Sequence, residues 1–238
     1  MKTRAMAFLA LMLIAIMIPA AGFAALPYSQ DFEGLNAGNT SALADDGWLV
    51  FGNVFGLDWA YWYGYGVFPA PNDGGAFCAI VSGEGGAEQG MQQMSVFSDY
   101  NNTDHPNAWI QSIVFQEMPI GEGDVGETWV FTFDAKKGNI EGDTYAEAFI
   151  KTLDPNAGYA TTNYIIQETT ATSDTWTGYT LSLVIDGSLA GQLLQIGFLS
   201  NTTNYQGSGV FYDNINFMPS GSVATESTSL DGLKSMYR

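Results

Sequence analysis

The sequence predicts an all-β fold, a two-sheet antiparallel β-sandwich of the jelly-roll type. Apolar side chains recur at every second position in segments such as 129–133 and 194–198, which is the period of a half-buried strand. Clusters of Gly, Asn, Asp and Pro, among them 71–75 and 154–158, separate these segments, as turn-forming residues do. No segment has a sustained helical period, so about eleven short strands remain to build two packed sheets.

Each predicted strand is a run rich in aromatic, β-branched and other apolar residues, bounded by turn residues. The runs follow one another without an internal repeat. In chain order they are Tyr28 to Glu33, Gly47 to Phe51, Phe77 to Val81, Met94 to Ser98, Trp109 to Glu117, Thr128 to Lys136, Tyr145 to Leu153, Tyr164 to Thr169, Trp176 to Ile185, Gln192 to Ser200 and Gly209 to Phe217.

The first 24 residues have the pattern of a secretory signal peptide: a positive end, an apolar run over 5–18 and small residues over 19–24. We therefore expect cleavage after Ala24, a β-sandwich domain over 25–218 and a flexible Ser/Thr-rich tail over 219–238. An uncleaved anchor is less favoured, because spanning a bilayer takes about 20 apolar residues. The expected location is extracellular, with the periplasm as an alternative.

The charge excludes whole classes of partner. The chain has 25 acidic and seven basic residues, a formal net charge of −18, and loss of the signal peptide removes two of the basic ones. So acidic a surface repels phosphates, and we expect neither nucleic acid nor, after signal cleavage, a membrane as partner. Between Arg4 and Arg238 there is no arginine, and arginine is the usual clamp for phosphates and uronates. A lyase acting on an acidic polysaccharide is therefore not favoured.

Most enzyme signatures are absent. His105 is the only histidine, placed by its polar neighbours in a solvated loop, and no Gly-x-Ser-x-Gly elbow accompanies it. Cys78 is the only cysteine and is predicted to be a small buried apolar residue. The Gly-x-Gly-x-x-Gly match at 121–126 carries two carboxylates and lacks a βαβ context, so it predicts an acidic turn.

A glycoside hydrolase needs only two carboxylates at a suitable separation, so the composition leaves this activity open. It is the least favoured of the functions considered, because surface solvation accounts for each carboxylate more simply. The candidate residues are Glu84, Glu88, Glu117 and Glu147.

The segment 48–68 holds nine aromatic residues interleaved with glycines. An extended chain places such residues on both faces, and a core can cover only one of them. Exposed flat rings beside Asn and Asp are suited to stacking on neutral sugars. Packing beneath a long loop and contact with a protein are the alternatives. The candidate ligand-binding residues are Trp59, Tyr61, Trp62, Tyr63 and Tyr65.

Asp213 shares the period-two phase of Phe211, Ile215 and Phe217, which predicts a carboxylate on the core side of the last strand. A buried carboxylate must be paired, protonated or metal-bound. Basic residues are scarce, so a calcium ion held by oxygen ligands is favoured. The partner would be Glu33 or Asp31, near the other end of the domain.

The opening Asp31-Phe32-Glu33-Gly34, the following Gly47-Trp48 and the closing stretch 209–215 resemble galactose-binding-like jelly-roll domains, which include secreted bacterial carbohydrate-binding modules. The resemblance implies that Glu33 and Asp213 help to hold a structural calcium. The predicted function is thus a secreted, non-catalytic module that binds neutral carbohydrate. The alternative is an extracellular structural or adhesive protein that self-associates through the same aromatic residues.

Overall fold

The computed structural model describes Ala25 and residues 27–221. The predicted signal peptide and most of the predicted tail lie outside this range. Within it, no helix is long and apolar enough to cross a membrane.

Twelve strands and one short helix form the described part of the chain, with 3₁₀ turns at Glu122–Asp124 and Pro155–Ala157. The helix, α1, is Ala42–Asp45. The strands are β1 (Tyr28–Gln30), β2 (Leu49–Gly56), β3 (Tyr61–Pro69), β4 (Cys78–Ser82), β5 (Gln92–Val96), β6 (Ala108–Pro119), β7 (Thr128–Lys137), β8 (Tyr145–Asp154), β9 (Ala160–Glu168), β10 (Thr177–Val184), β11 (Leu193–Thr202) and β12 (Val210–Pro219).

The strands form two antiparallel six-stranded sheets, which confirms the predicted β-sandwich. The first sheet has the order β10-β7-β12-β5-β4, with β1 also paired to β12; the second has the order β3-β2-β6-β11-β8-β9. Every predicted strand coincides with an observed one. The additional strand, β3, lies inside the aromatic segment, where glycines interrupt the alternation.

The core between the sheets is dominated by aromatic rings. Phe198 of the second sheet stacks on Tyr212 of the first, with ring centroids 3.7 Å apart. Phe133 and Trp48 also contact the Phe198 ring. Cys78 is fully buried, as predicted.

Two local predictions need correction. His105 is buried rather than solvated: its ring lies against Tyr205, and its Nε2 is 3.4 Å from Ser98 Oγ. Asp213 is buried, but for a different reason from the one predicted. It pairs with Asp134 on the side of the sheet away from the core, and a bulge between Asp213 and Asn216 changes the phase of β12.

Candidate functional site

The second sheet has an outer face, which we define as its side away from the first sheet. Residues paired directly across antiparallel strands share a face, so the strand register determines which side chains meet there. One row runs Asn53, Gln111, Asn201, Tyr145 from β2 to β8. The second row contains Phe51, Ile113, Leu199 and Glu147. The third contains Leu49, Phe115, Gly197 and Phe149. The fourth, which extends to β9, contains Glu117, Gln195, Lys151 and Tyr164.

The centre of the outer face is apolar. Ile113, Phe115, Phe149 and Leu199 form a buried cluster separate from the main core. Leu49, Phe51 and Tyr145 pack against this cluster and are themselves only partly buried. The outer face therefore has a hydrophobic floor.

One end of the outer face is an aromatic corner, made of Phe55, Trp59, Tyr61 and Trp109. Trp59 stacks on Trp109 with ring centroids 4.7 Å apart and planes inclined by 16°. Phe55 contacts both Trp59 and Tyr61. The turn between β2 and β3 places Trp59 at φ 65°, which brings its ring back over the sheet. Trp59 and Tyr61 are 54% and 60% exposed, so their rings are accessible to a ligand.

The other predicted platform residues lie on the opposite side of β3, because bulges interrupt its pairing with β2. The Trp62 indole nitrogen lies over Gly56. Gly56 faces the side opposite to its neighbour Phe55, which points to the outer face. Trp62 is therefore on the side away from the outer face. Tyr65 donates a hydrogen bond to Asp99 Oδ2 (2.8 Å). Tyr63 is similarly bonded to the Asp104 carboxylate (2.5 Å). The five candidates thus fall on two faces, and only Trp59 and Tyr61 belong to the aromatic corner.

A buried carboxylate lies near the centre of the outer face. Glu147 accepts hydrogen bonds from the hydroxyls of Tyr145 (2.7 Å) and Tyr164. Burial, reinforced by the Glu147 charge, raises the pKa of both tyrosine hydroxyls well above the usual range. The phenols therefore stay protonated. The Tyr164 ring, 47% exposed, provides a flat surface over β8 and β9.

Two buried amide oxygens on the outer face have no hydrogen-bond partner: Gln195 Oε1 and Asn201 Oδ1. The Gln195 amide nitrogen donates to Glu117 (2.7 Å), so only the oxygen of this side chain is left without a partner. An unsatisfied buried acceptor is unfavourable by about 1–3 kcal/mol. Both side chains are only 3% exposed, so a ligand hydroxyl could reach these oxygens only after the amides turn outward.

The four glycosidase candidates differ in their surroundings. Glu84 is bound to Lys136 at 2.8 Å, and Glu88 is solvated. Glu117 and Glu147 share the outer face, but their strand positions are two strands and four residues apart, about 16 Å between backbones.

A second candidate site surrounds Asp213 on the first sheet. Its Oδ1 accepts the Asn214 N–H (2.7 Å), whereas its Oδ2 is buried without a partner. Burial first, and then the charges of Asp31, Asp134 and Glu33, raise the pKa of Asp213 to about 7. An orphaned carboxylate oxygen among other carboxylates fits a hard cation.

The other predicted ligands are partly engaged. Glu33 Oε1 accepts the backbone N–H groups of Met91 and Gln92, each at 2.6 Å. Asp31 Oδ1 accepts the Glu33 N–H. In the described residues, no group of three or more His, Cys, Asp or Glu side chains is close enough to hold a metal by itself. Backbone carbonyls or water would have to complete a calcium site.

The comparisons with known proteins concern the fold. No family model and no curated protein matches the chain. Similar solved structures include a family 16 carbohydrate-binding module (13% identity, TM-score 0.39, covering 61% of this chain and 88% of that one). The CBM22-1 xylan-binding domain of Paenibacillus barcinonensis Xyn10C has 13% identity and a TM-score of 0.40, covering 85% and 98%. Both of these solved structures are carbohydrate-binding modules.

Another similar structure is the enzymatically active domain of bacteriophage CBA120 tailspike protein 4, with 12% identity and a TM-score of 0.46. The match covers 78% of this chain but only 21% of the chain in that structure. The jelly-roll architecture rests on the two sheets described above.

Removing the Tyr65 hydroxyl should destabilise the protein. In Tyr65→Phe, the buried Asp99 loses a hydrogen bond, and we expect the free energy of unfolding to fall by about 1–3 kcal/mol, measured by denaturant titration. The matched control is Tyr61→Phe in the aromatic corner, which should change the free energy of unfolding by less than about 0.5 kcal/mol. Equal effects of the two variants would contradict the assignment of these rings to different faces.

Proposed function

We propose that the protein is a secreted, non-catalytic module that binds a neutral carbohydrate chain on the outer face of the second sheet. The observation that carries the proposal is the set of exposed rings on one face: Trp59 and Tyr61 in the aromatic corner and Tyr164 over β8 and β9. Secretion rests on the signal-like segment of the sequence, which lies outside the described residues.

The aromatic corner would supply stacking. The C–H face of a pyranose lies flat against an indole or phenol ring, and such contacts need exposed, rigid rings. Trp59 is held against Trp109, so little side-chain entropy is lost when a sugar binds.

The neighbouring row would supply polar contacts. Gln111 lies two residues beyond Trp109 on β6 and pairs with Asn201, so Asn201 Oδ1 is next to the aromatic corner. If the Asn201 amide turned outward, a sugar hydroxyl would donate to this oxygen while the sugar ring stacks on Trp59 or Trp109. The Asn53 amide donates to Gln111 Oε1 at 2.8 Å and fixes the orientation of that side chain. Such buried polar contacts give a site its specificity.

Removing a stacking ring should weaken binding. A panel of neutral polysaccharides is first screened by affinity electrophoresis to find one that binds. Trp59→Ala and Trp109→Ala should each lower the affinity for that polysaccharide, measured by calorimetry, by about tenfold or more. Trp62→Ala is the matched control and should leave the affinity unchanged. Trp62 is about as exposed as Trp59, at 49%, but it lies over Gly56 on the other side of β3.

Two results would contradict this proposal. One is the absence of binding to any neutral polysaccharide in the panel. The other is an oligomer in size-exclusion chromatography that Trp59→Ala dissociates, because the aromatic corner would then serve self-association, the alternative predicted from the sequence.

We further propose that calcium stabilises the fold at Asp213, with Glu33 and Asp31 nearby. The ion would neutralise carboxylates that otherwise repel one another, and would hold the start of the domain against β12. The support is the buried, unpartnered Asp213 Oδ2 and its acidic surroundings.

Calcium should raise the melting temperature of the wild-type protein relative to chelator. A ligand at 100 times its Kd stabilises by about 2.7 kcal/mol, which for a domain of this size is about 5 °C or more. Asp213→Asn should abolish the calcium-dependent shift, and the exposed Asp174→Asn should preserve it. A melting curve that is the same in calcium and chelator would refute the site.

A further inference from the structure

The outer face holds a cation at its centre. Lys151 of β8 places its Nζ 5.3 Å from the centroid of the Phe149 ring and 5.9 Å from that of Phe115. These two rings lie on either side of Gly197 in one row of the sheet. The ammonium is therefore above the hydrophobic floor, and the nearby aromatic surfaces attract it.

No carboxylate of the described residues lies within 4.0 Å of this ammonium. In the part of the chain that the structure describes, the one ion pair within 4.0 Å joins Lys136 to Glu84. The protein has 25 acidic residues against seven basic ones, so a lysine without a close carboxylate is notable here. The neighbouring Gln195 is oriented towards Glu117 through its amide nitrogen, and its oxygen has no partner.

The charged and titratable groups around Lys151 are few. Glu117 comes from β6 and Tyr164 from β9, and Glu147 lies on β8 itself with both carboxylate oxygens bonded to tyrosine hydroxyls. Leu49 and Phe51 of β2 and Gln195 of β11 carry no charge. Burial lowers the pKa of Lys151 to about 8, with Glu117 opposing this shift. The side chain is thus mainly protonated at neutral pH.

We propose that Lys151 determines the specificity of the proposed carbohydrate site by binding one carboxylate, that of a uronic acid unit in an otherwise neutral chain. This inference rests on the proposed function. A sugar lying over the Tyr164 ring, which is 47% exposed and next to Lys151 in the same row, would bring its carboxylate to the Lys151 ammonium. A polyuronate is disfavoured, because the net charge of −18 repels a polyanion.

The test compares matched hexaoses. Cellohexaose, mannohexaose and galactohexaose are each titrated as the neutral sugar and as the same sugar with one C6 hydroxymethyl group oxidised to a carboxylate. A charge-assisted hydrogen bond should make the oxidised form of the bound hexaose about tenfold tighter at pH 6. The preference should decline as pH rises through 8, because Lys151 loses its proton while the uronate stays ionised.

Lys151→Met retains the apolar stem over the rings and should abolish the preference while leaving the neutral hexaose bound. The control is Lys137→Met, which removes an exposed lysine of the first sheet and should leave the preference intact. Thermal melting checks that both variants fold.

The outcomes separate the two proposals. If a neutral hexaose binds but its oxidised form binds no tighter, or if Lys151→Met keeps the preference, the Lys151 inference is wrong and the proposed function stands. If neither form of any hexaose binds, the proposed function is contradicted and the inference fails with it.

Discussion

The central strands of the second sheet, β6, β8 and β11, must bury apolar side chains on both faces, and the rest of the structure depends on this constraint. Only one face packs against the first sheet, where Phe198 meets Tyr212. The other face covers its apolar residues with its own neighbours, which produces the cluster around Phe115 and Phe149. The apolar surface still open to water on this face is that of the Trp59, Tyr61 and Tyr164 rings. Covering these rings is what would favour the binding of a flat apolar surface.

The edge of this sheet depends on close packing of glycines and rings. A Cβ at Gly52 would be 2.2 Å from the Tyr65 ring, and one at Gly64 would be 2.8 Å from the Tyr61 hydroxyl. These glycines lie on opposite faces of the β2–β3 pair, and each allows a ring to lie flat against the backbone. The edge strand β3 can therefore support Tyr61 on the outer face and Tyr65 on the opposite side. Glycine between aromatic residues in this segment reflects that packing.

The fold class and the position of nearly every strand could be predicted, because period-two alternation and turn chemistry are local signals. The strand β3 was missed, since its glycines break the alternation. The bulge before Asn216 could not be foreseen and reversed the side of β12 on which Asp213 lies. The prediction that aromatic rings stay exposed could be made from their number alone, but their division between faces depends on register. The roles of Gln195 and Lys151 also depend on register, so no local pattern identified them.

The six tryptophans can report whether the outer face of the second sheet is the ligand surface. Each indole N–H gives a separate signal in a ¹⁵N-correlated NMR spectrum, which can be followed as a bound neutral hexaose is added. If the ligand binds the outer face, the Trp59 and Trp109 signals shift together with saturation, while those of Trp62 and the buried Trp48 and Trp129 stay in place. Shifts at Trp62 with Trp59 and Trp109 unchanged would show that the ligand lies on the other side of β3 and that the outer face is not the binding surface.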